Sequence, residues 1–293
     1  LPTSKTEEYK MLGETDFSYC TGNRRYRMNA FRDISGTSLA IRVIPEIIPN
    51  VESMGFTQEI INLTKKESGL VLVTGPTGSG KSTTLASLIE YINQNQQKHI
   101  ITIEDPIEYI FEEKKSIIDQ REIGIDTKDF PTALRSIFRE DANVILIGEM
   151  RSPDTISTAV TAAETGHLVL STLHTNNAAQ TIDRIIDSFP GAQQDQIRNQ
   201  LAGSLLGVFS QRLVPRITGG LVPAYELLIN NNAVANLIRE KRTHEIDVVI
   251  ETGSEQGMVD MNRSLIELVR AGEITMESAY LYSMNPKGLE RLM

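Results

Sequence analysis

Residues 69–83 read Gly69-Leu-Val-Leu-Val-Thr-Gly75-Pro-Thr-Gly-Ser-Gly-Lys81-Ser82-Thr83. Four apolar residues lead into a glycine-rich turn, and the turn leads into an amphipathic stretch running from about Lys81 to Gln94. The spacing G-x-x-x-x-G-K-[ST], after a strand and before a helix, is the arrangement that cradles phosphate. Glycines at 75, 78 and 80 let backbone N–H groups curl around an anion without Cβ clashes, and the following helix N-terminus adds partial positive charge. Pro76, Thr77, Ser79 and Thr83 complete the loop, Lys81 is placed to reach the β- and γ-phosphates, and the Ser82 hydroxyl to ligate Mg²⁺.

Outward from this loop, short apolar runs recur at 99–104, 143–148 and 167–172, separated by helical patterns near 129–139 and 153–164. Apolar strands alternating with helices predict an α/β fold with a parallel sheet covered on both faces. In such a sheet, ligands sit beyond the carboxyl ends of the strands. Three strand ends carry chemistry there. "NVILIGEMR" (143–151) ends in Gly148-Glu149, where an aspartate usually faces the magnesium side; Glu149 can position and deprotonate water, or hold Mg²⁺ through water. "ITIEDPIE" (101–108) offers Glu104 as a catalytic or metal-water contact, with Asp105 beside it. "HLVLSTLHTNNA" (167–178) places His174 where it can report on a γ-phosphate by hydrogen bonding, among Thr172, Thr175 and Asn176. Taken singly, solvated glutamates and a structural histidine explain the same residues; the phosphate loop upstream is what favours the chemical reading.

Upstream, "RYRMNAFRD" and "SLAIRVIP" read as two strands around a turn at 33–36, part of a small α+β domain over 1–50. Pro45, Pro49 and Gly55 mark a linker with a short helix near 57–66, within a segment 51–68. The core domain is read over 69–230. After Phe189 the chain turns mostly helical apart from "QRLVPR" and "LVPAYELL", and 231–293 forms a helical tail.

Bulk properties narrow the function classes. The 293 residues are 40% hydrophobic and 23% charged, with no apolar run near the ~18 residues of a membrane span and no signal-peptide pattern. A net charge of −9 disfavours nucleic acid as the main partner, which leaves a nucleic-acid translocase as the less favoured alternative. Cys20, the one cysteine, excludes an intramolecular disulfide and a multi-cysteine zinc site, and fits a reducing compartment. Leu1 in place of an initiator methionine suggests truncation upstream.

In order, "GPTGSGKST", "TIEDPIEY", "VILIGEMRSPDTI" and "STLHTNNA" resemble the Walker A loop, Asp box, atypical Walker B and His box of the secretion and pilus motor ATPases. "RYRMNAF", "AVANLIRE" and "GMVDMNRSL" narrow the resemblance to the PilT-type pilus retraction ATPases, over about Tyr19 to Pro286. The resemblance implies a RecA-like P-loop core, a PAS-like N-terminal domain lacking its first strands here, and a homo-hexamer burning ATP with Mg²⁺. It also implies a cytoplasmic location at the inner membrane face, a membrane platform protein as partner, and pilin as the indirect cargo. Two N-domain arginines that approach the nucleotide fall on Arg27 and Arg42, and Arg135, Arg139 and Arg212 are further candidates. Pilus extension and type II secretion relatives usually carry a four-cysteine zinc site, for which this chain has no ligands. Two departures stand out: Ser152-Pro153-Asp154 in place of the expected Asp-x-Glu, and Val234-Ala235 in place of Ile-Arg.

Overall fold

In a computed structural model, described over residues 3–22, 24–44 and 47–293, two sheets organise the chain. Helix α1 (Thr3–Leu12) precedes strands β1 (Glu14–Thr21), β2 (Arg24–Asp33) and β3 (Gly36–Ile44), which form an antiparallel sheet in that order. β2 and β3 are the two strands the sequence pattern predicts; α1 and β1 are additions. β1 escapes a periodicity reading because only Thr15 and Phe17 are buried among its eight residues, Glu14–Thr21.

Helix α2 (Gln58–Leu63) leads into the second sheet, built from β4 (Gly69–Thr74), β5 (His99–Glu104), β6 (Ile117–Glu122), β7 (Val144–Ile147), β8 (Leu168–Leu173), β9 (Leu205–Pro215) and β10 (Leu221–Ile229). Their order is β10-β9-β4-β8-β7-β5-β6, parallel throughout except for the antiparallel β9–β10 pair. Central strands β4, β7 and β8 are buried at every position, which explains their continuous apolar runs. Edge strand β6 reads Ile117-Ile-Asp-Gln-Arg-Glu122, two isoleucines followed by four polar residues, so it lacks the apolar run of a central strand and lay hidden in the sequence. The strand expected over 211–216 begins earlier, at Leu205, because an apolar run such as "LLGVF" reads equally as helix or strand.

Helices α3 (Lys81–Asn95), α4 (Phe130–Ile137), α5 (Pro153–Glu164), α6 (Ala178–Asp187) and α7 (Gly191–Ser204) supply the crossovers. One core joins Leu72, Ile103, Ile147 and Val169 with residues of α4 to α7; the other packs Val71, Val73, Leu146 and Leu170 against Leu88 and Ile92 of α3. Each strand therefore sends alternate side chains to opposite, covered faces. Helices α8 (Asn232–Arg239), α9 (Ile246–Thr252), α10 (Met261–Arg270), α11 (Met276–Tyr282) and α12 (Pro286–Glu290) follow, and a third cluster, including Leu265, Ile274 and Leu289, packs on Val214, Val222 and Ala224 of the β9–β10 hairpin. Among the described residues, no helix is long and apolar enough to cross a membrane.

The Ser152-Pro153-Asp154 departure has a local cause. Ser152 caps α5 by accepting from Thr155 N at 3.3 Å, Pro153 occupies the first turn where a missing N–H costs nothing, and Asp154 adds negative charge at the helix N-terminus.

Candidate active site

The parallel register brings the predicted residues to one sheet edge. Ile103 of β5, Ile147 of β7 and Ser171 of β8 are aligned neighbours, and Thr74 of β4 pairs with Leu173. The residues that follow these strands, from Glu104 through Gly148-Glu149 and His174 to the Gly75–Lys81 loop, therefore stand side by side. They open onto a cleft of about 800 Å³ whose lining includes Thr77, Gly78, Gly80, Lys81, Ser82, Thr83, Glu104, Glu149 and His174. Arg27 and Arg42 line the same cleft from the three-stranded sheet, where they are directly paired across β2 and β3.

The loop has the form of an anion cradle. Gly75, Gly78 and Gly80 all have positive φ, and a Cβ on Gly75 would lie 2.3 Å from the Gln211 carbonyl oxygen. Ser79 Oγ is buried without a partner. Lys81 Nζ folds back to donate to Gly75 O at 2.9 Å and Pro76 O at 3.0 Å, and it lies 3.4 Å from His174 Nδ1. Burial holds the Lys81 pKa below its ordinary value, opposed by the charges of Glu149 and Glu108. An incoming phosphate can replace both carbonyls as the partner of this ammonium.

Glu149 is tied to two cations or donors. Arg151 Nη2 lies 2.7 Å from one carboxylate oxygen and His174 Nε2 lies 3.4 Å from the other. One neutral histidine tautomer, protonated at Nε2, satisfies both neighbours: it accepts from Lys81 at Nδ1 and donates to Glu149. Glu104 is different. Burial lifts its pKa to about 7, against hydrogen bonds from Thr102 Oγ1 at 2.7 Å and Gln120 Nε2 at 3.4 Å. The two carboxyl groups thus have opposite tendencies in one cleft, the pattern expected where acid–base roles are divided.

Gly148 leaves the strand tip open: a Cβ there would meet only backbone, Glu104 Cα and Ile103 O at 3.4 Å and Asp105 N at 3.9 Å. Its own carbonyl accepts from Thr172 Oγ1 at 2.6 Å. Asp105 lines the cleft, whereas Thr175 lies outside its lining and bonds Thr181 of α6 at 2.7 Å. Arg212 does not enter the cleft of its own chain, because its Nη1 donates to Tyr282 O at 3.1 Å, toward the C-terminal helices. Arg135 and Arg139 also lie outside the cleft lining, and Arg135 contacts Thr132 within its own helix.

Sequence reasoning missed Arg151, Tyr109 and Gln211. Tyr109 bonds Thr83 Oγ1 through its hydroxyl at 2.9 Å, just after Ser82. Gln211 is 1% exposed; its amide donates to Ser79 O and accepts from Thr84 Oγ1 at 2.7 Å, so it clasps the phosphate loop from the neighbouring strand. A lone glutamine inside the apolar run "LLGVFSQRLV" was the available signal.

The model of the type II/IV secretion system protein family matches residues 15–277. The type IV pilus retraction ATPase PilT of Pseudomonas aeruginosa is 46% identical over 274 residues, 93% of this chain and 80% of that one. A twitching motility protein of Neisseria gonorrhoeae is 47% identical over 283 residues, 96% of this chain and 76% of that one. A crystal structure of the pilus retraction motor PilT with bound ADP superposes with a TM-score of 0.91 at 49% identity, covering 99% of this chain and 83% of that one. The resemblance drawn from the four motif blocks holds: the chain belongs to the type II/IV secretion system protein family, as an ATPase of its PilT-like branch.

Proposed function

We infer that this chain is an ATP-hydrolysing motor subunit that powers type IV pilus retraction. The observation that carries the reading is the convergence on one cleft of the Gly75–Thr83 loop, Glu104, Glu149 and His174 with Arg27 and Arg42 of the second sheet. The high identity to a retraction ATPase and a twitching motility protein supports the same conclusion.

In this reading the loop N–H groups and Lys81 bind the phosphates of ATP, and Arg27 and Arg42 add positive charge where the transferring phosphoryl develops negative charge. Glu149 orients the attacking water and takes its proton; the Arg151 and His174 contacts keep the carboxylate ionised and aimed. His174, touching both Lys81 and Glu149, senses the γ-phosphate position. Where Mg²⁺ binds, Ser82 holds it, with Glu149 or Glu104 through water, and it neutralises phosphate charge. The Ser82 hydroxyl and both carboxylates line one cleft, so the donor set suits a hard, oxygen-seeking cation.

We further propose a division into an N-terminal domain (1–50), a linker and short helix (51–68), an ATPase core (69–230) and a helical C-terminal region (231–293). Hydrolysis would turn the first against the core about the segment near 45–56, of which Pro45 and Glu46 lie outside the described residues. Six subunits form the ring, at the cytoplasmic face of the membrane, where the motor acts on a platform protein and so on pilin. Helix α8, with Leu237 and Ile238, serves retraction rather than hydrolysis.

Phosphate release by wild type, Lys81→Ala and Glu149→Ala tests the chemistry, and sedimentation with and without nucleotide tests the ring. Equal turnover by wild type and Glu149→Ala would remove Glu149 from the role of base. Twitching restored in a retraction-deficient cell, and lost again with Leu237→Ala while ATPase activity persists, is the outcome expected for the output.

A further inference from the structure

We propose that Arg25 and Glu122 form a latch that seats the three-stranded sheet on the ATPase core and so aims Arg27 and Arg42 into the nucleotide cleft. The proposal rests on the reading of those two arginines given above and extends it to the residues that place them.

Glu122 ends edge strand β6 and is 3% exposed. A carboxylate so buried requires charge and hydrogen-bond partners. It finds them across the junction between the two sheets. Arg25 Nη2 lies 2.8 Å from Oε2, and Ser18 Oγ lies 3.0 Å from Oε2 and 3.1 Å from Oε1. The core contributes Ile107 N, 3.2 Å from Oε2. Arg25 spreads its remaining donors in the same way: Nη2 also donates to Ser18 Oγ at 2.9 Å, Nε donates to Ile107 O at 2.9 Å, and Nη1 donates to Cys20 Sγ at 3.6 Å. The guanidinium fork thus grips both the β6 carboxylate and the backbone of the loop leading from Glu104.

Strand geometry carries this grip to the cleft. Side chains two apart on a strand share a face, so Arg25 and Arg27 project from the same side of β2. Arg27 is the direct cross-strand partner of Arg42. Fixing Arg25 against the core therefore fixes the side of the sheet that bears both cleft arginines. The neighbouring Arg27–Glu108 pair, at 3.3 Å and with 36% and 22% of the side chains exposed, is a weaker tether because solvent screens it. Arg25 and Glu122 are positioning residues, since neither lines the cleft.

The test uses the full chain in its assembled state. Glu122→Gln keeps shape and removes charge; Arg25→Lys keeps charge and removes the fork. Each should lower kcat/KM for ATP by between about 10- and 100-fold, the scale of a misplaced catalytic group. Adding Glu122→Gln to Arg27→Ala/Arg42→Ala should then cost nothing further, because both changes remove the same contribution. Losses that multiply, or wild-type kinetics in both latch variants, overturn the latch. Wild-type turnover in Arg27→Ala/Arg42→Ala overturns the arginine reading instead.

A second readout does not depend on that reading. Spin labels at Ile34→Cys, on the fully exposed β2–β3 turn, and at the exposed α5 position Ser157→Cys report the distance between the two sheets, in a Cys20→Ser background whose hydroxyl can still accept from Arg25 Nη1. Labelled subunits are diluted among unlabelled ones. Without nucleotide the distribution should be narrow in wild type and in Arg27→Ala/Arg42→Ala, and broad in Glu122→Gln and Arg25→Lys. An unchanged distribution in the latch variants sinks the proposal.

Discussion

Arg151 Nη2 lies 2.7 Å from Oε2 of Glu149, so the carboxylate assigned to the attacking water brings a countercharge two residues further along the chain. Burial alone would raise the Glu149 pKa. The Arg151 hydrogen bond and charge, with His174 beside them, outweigh that and hold it below the ordinary value.

This balance makes a pH prediction with a definite sign. A base must be ionised, so kcat/KM falls on the acid side as free Glu149 takes up a proton. Arg151→Ala removes the larger of the two influences that lower the pKa, leaving His174 alone to oppose the burial that raises it. The acid limb of kcat/KM for ATP should therefore move to higher pH in Arg151→Ala than in wild type. Profiles that coincide would show that Arg151 does not tune Glu149.

Gln211 is the second test. Truncation to alanine would strip Ser79 O and Thr84 Oγ1 of partners in a place sealed from water, at about 1–3 kcal/mol for each polar group left unsatisfied. The phosphate loop would lose its backing, so Gln211→Ala should raise KM for ATP more than it lowers kcat and should lower the melting temperature. Gln211→Glu sharpens the point: it still accepts from Thr84 but sets a carboxylate against the Ser79 carbonyl. Nucleotide affinity measured by titration should fall further in Gln211→Glu than in Gln211→Ala, and the reverse order would contradict the clasp.

The parts legible in the sequence were those written locally. A phosphate loop is a contiguous signature, and the strand ends at Glu104, Glu149 and His174 could be aligned because parallel strands place their carboxyl ends on one edge. Gly148, odd beside the usual aspartate, needs no repair in the folded chain, since nothing but backbone crowds it. Other parts were written across distance. Arg25 meets Glu122 from 97 residues away and Gln211 meets Ser79 from 132, separations at which no periodicity speaks. β6 and β1 escaped because edge strands with a wet face lack the apolar runs that announce β4, β7 and β8. Arg212 stays out of its own chain's cleft for a related reason: its neighbours Gln211 and Leu213 approach the phosphate loop, but its own side chain turns to Tyr282.

Glu226 supplies the last test, on stability rather than turnover. This β10 carboxylate is buried and accepts from Ala178 N at 2.8 Å, at the start of the helix that follows the His174 loop. Burial lifts its pKa from 4.5 to about 8, helped by the charges of Asp247 and Asp260 and opposed by the bonds from Ala178 and Ser210. Below the ordinary value both folded and unfolded chains hold the proton, and Glu226 gives no pH dependence. Between there and about 8 the unfolded chain has released it while the folded chain keeps it. The unfolded state then binds fewer protons, so stability must fall as pH rises, by at most ~1.4 kcal/mol per pH unit. Glu226→Gln cannot ionise and retains a carbonyl oxygen for Ala178 N. Its stability relative to wild type, from denaturant unfolding between pH 5 and 9, should grow with pH and level off above about 8, for a total of a few kcal/mol. Parallel curves for the two proteins would mean that Glu226 is ionised in the folded chain throughout that range, with its charge carried by the α6 N-terminus.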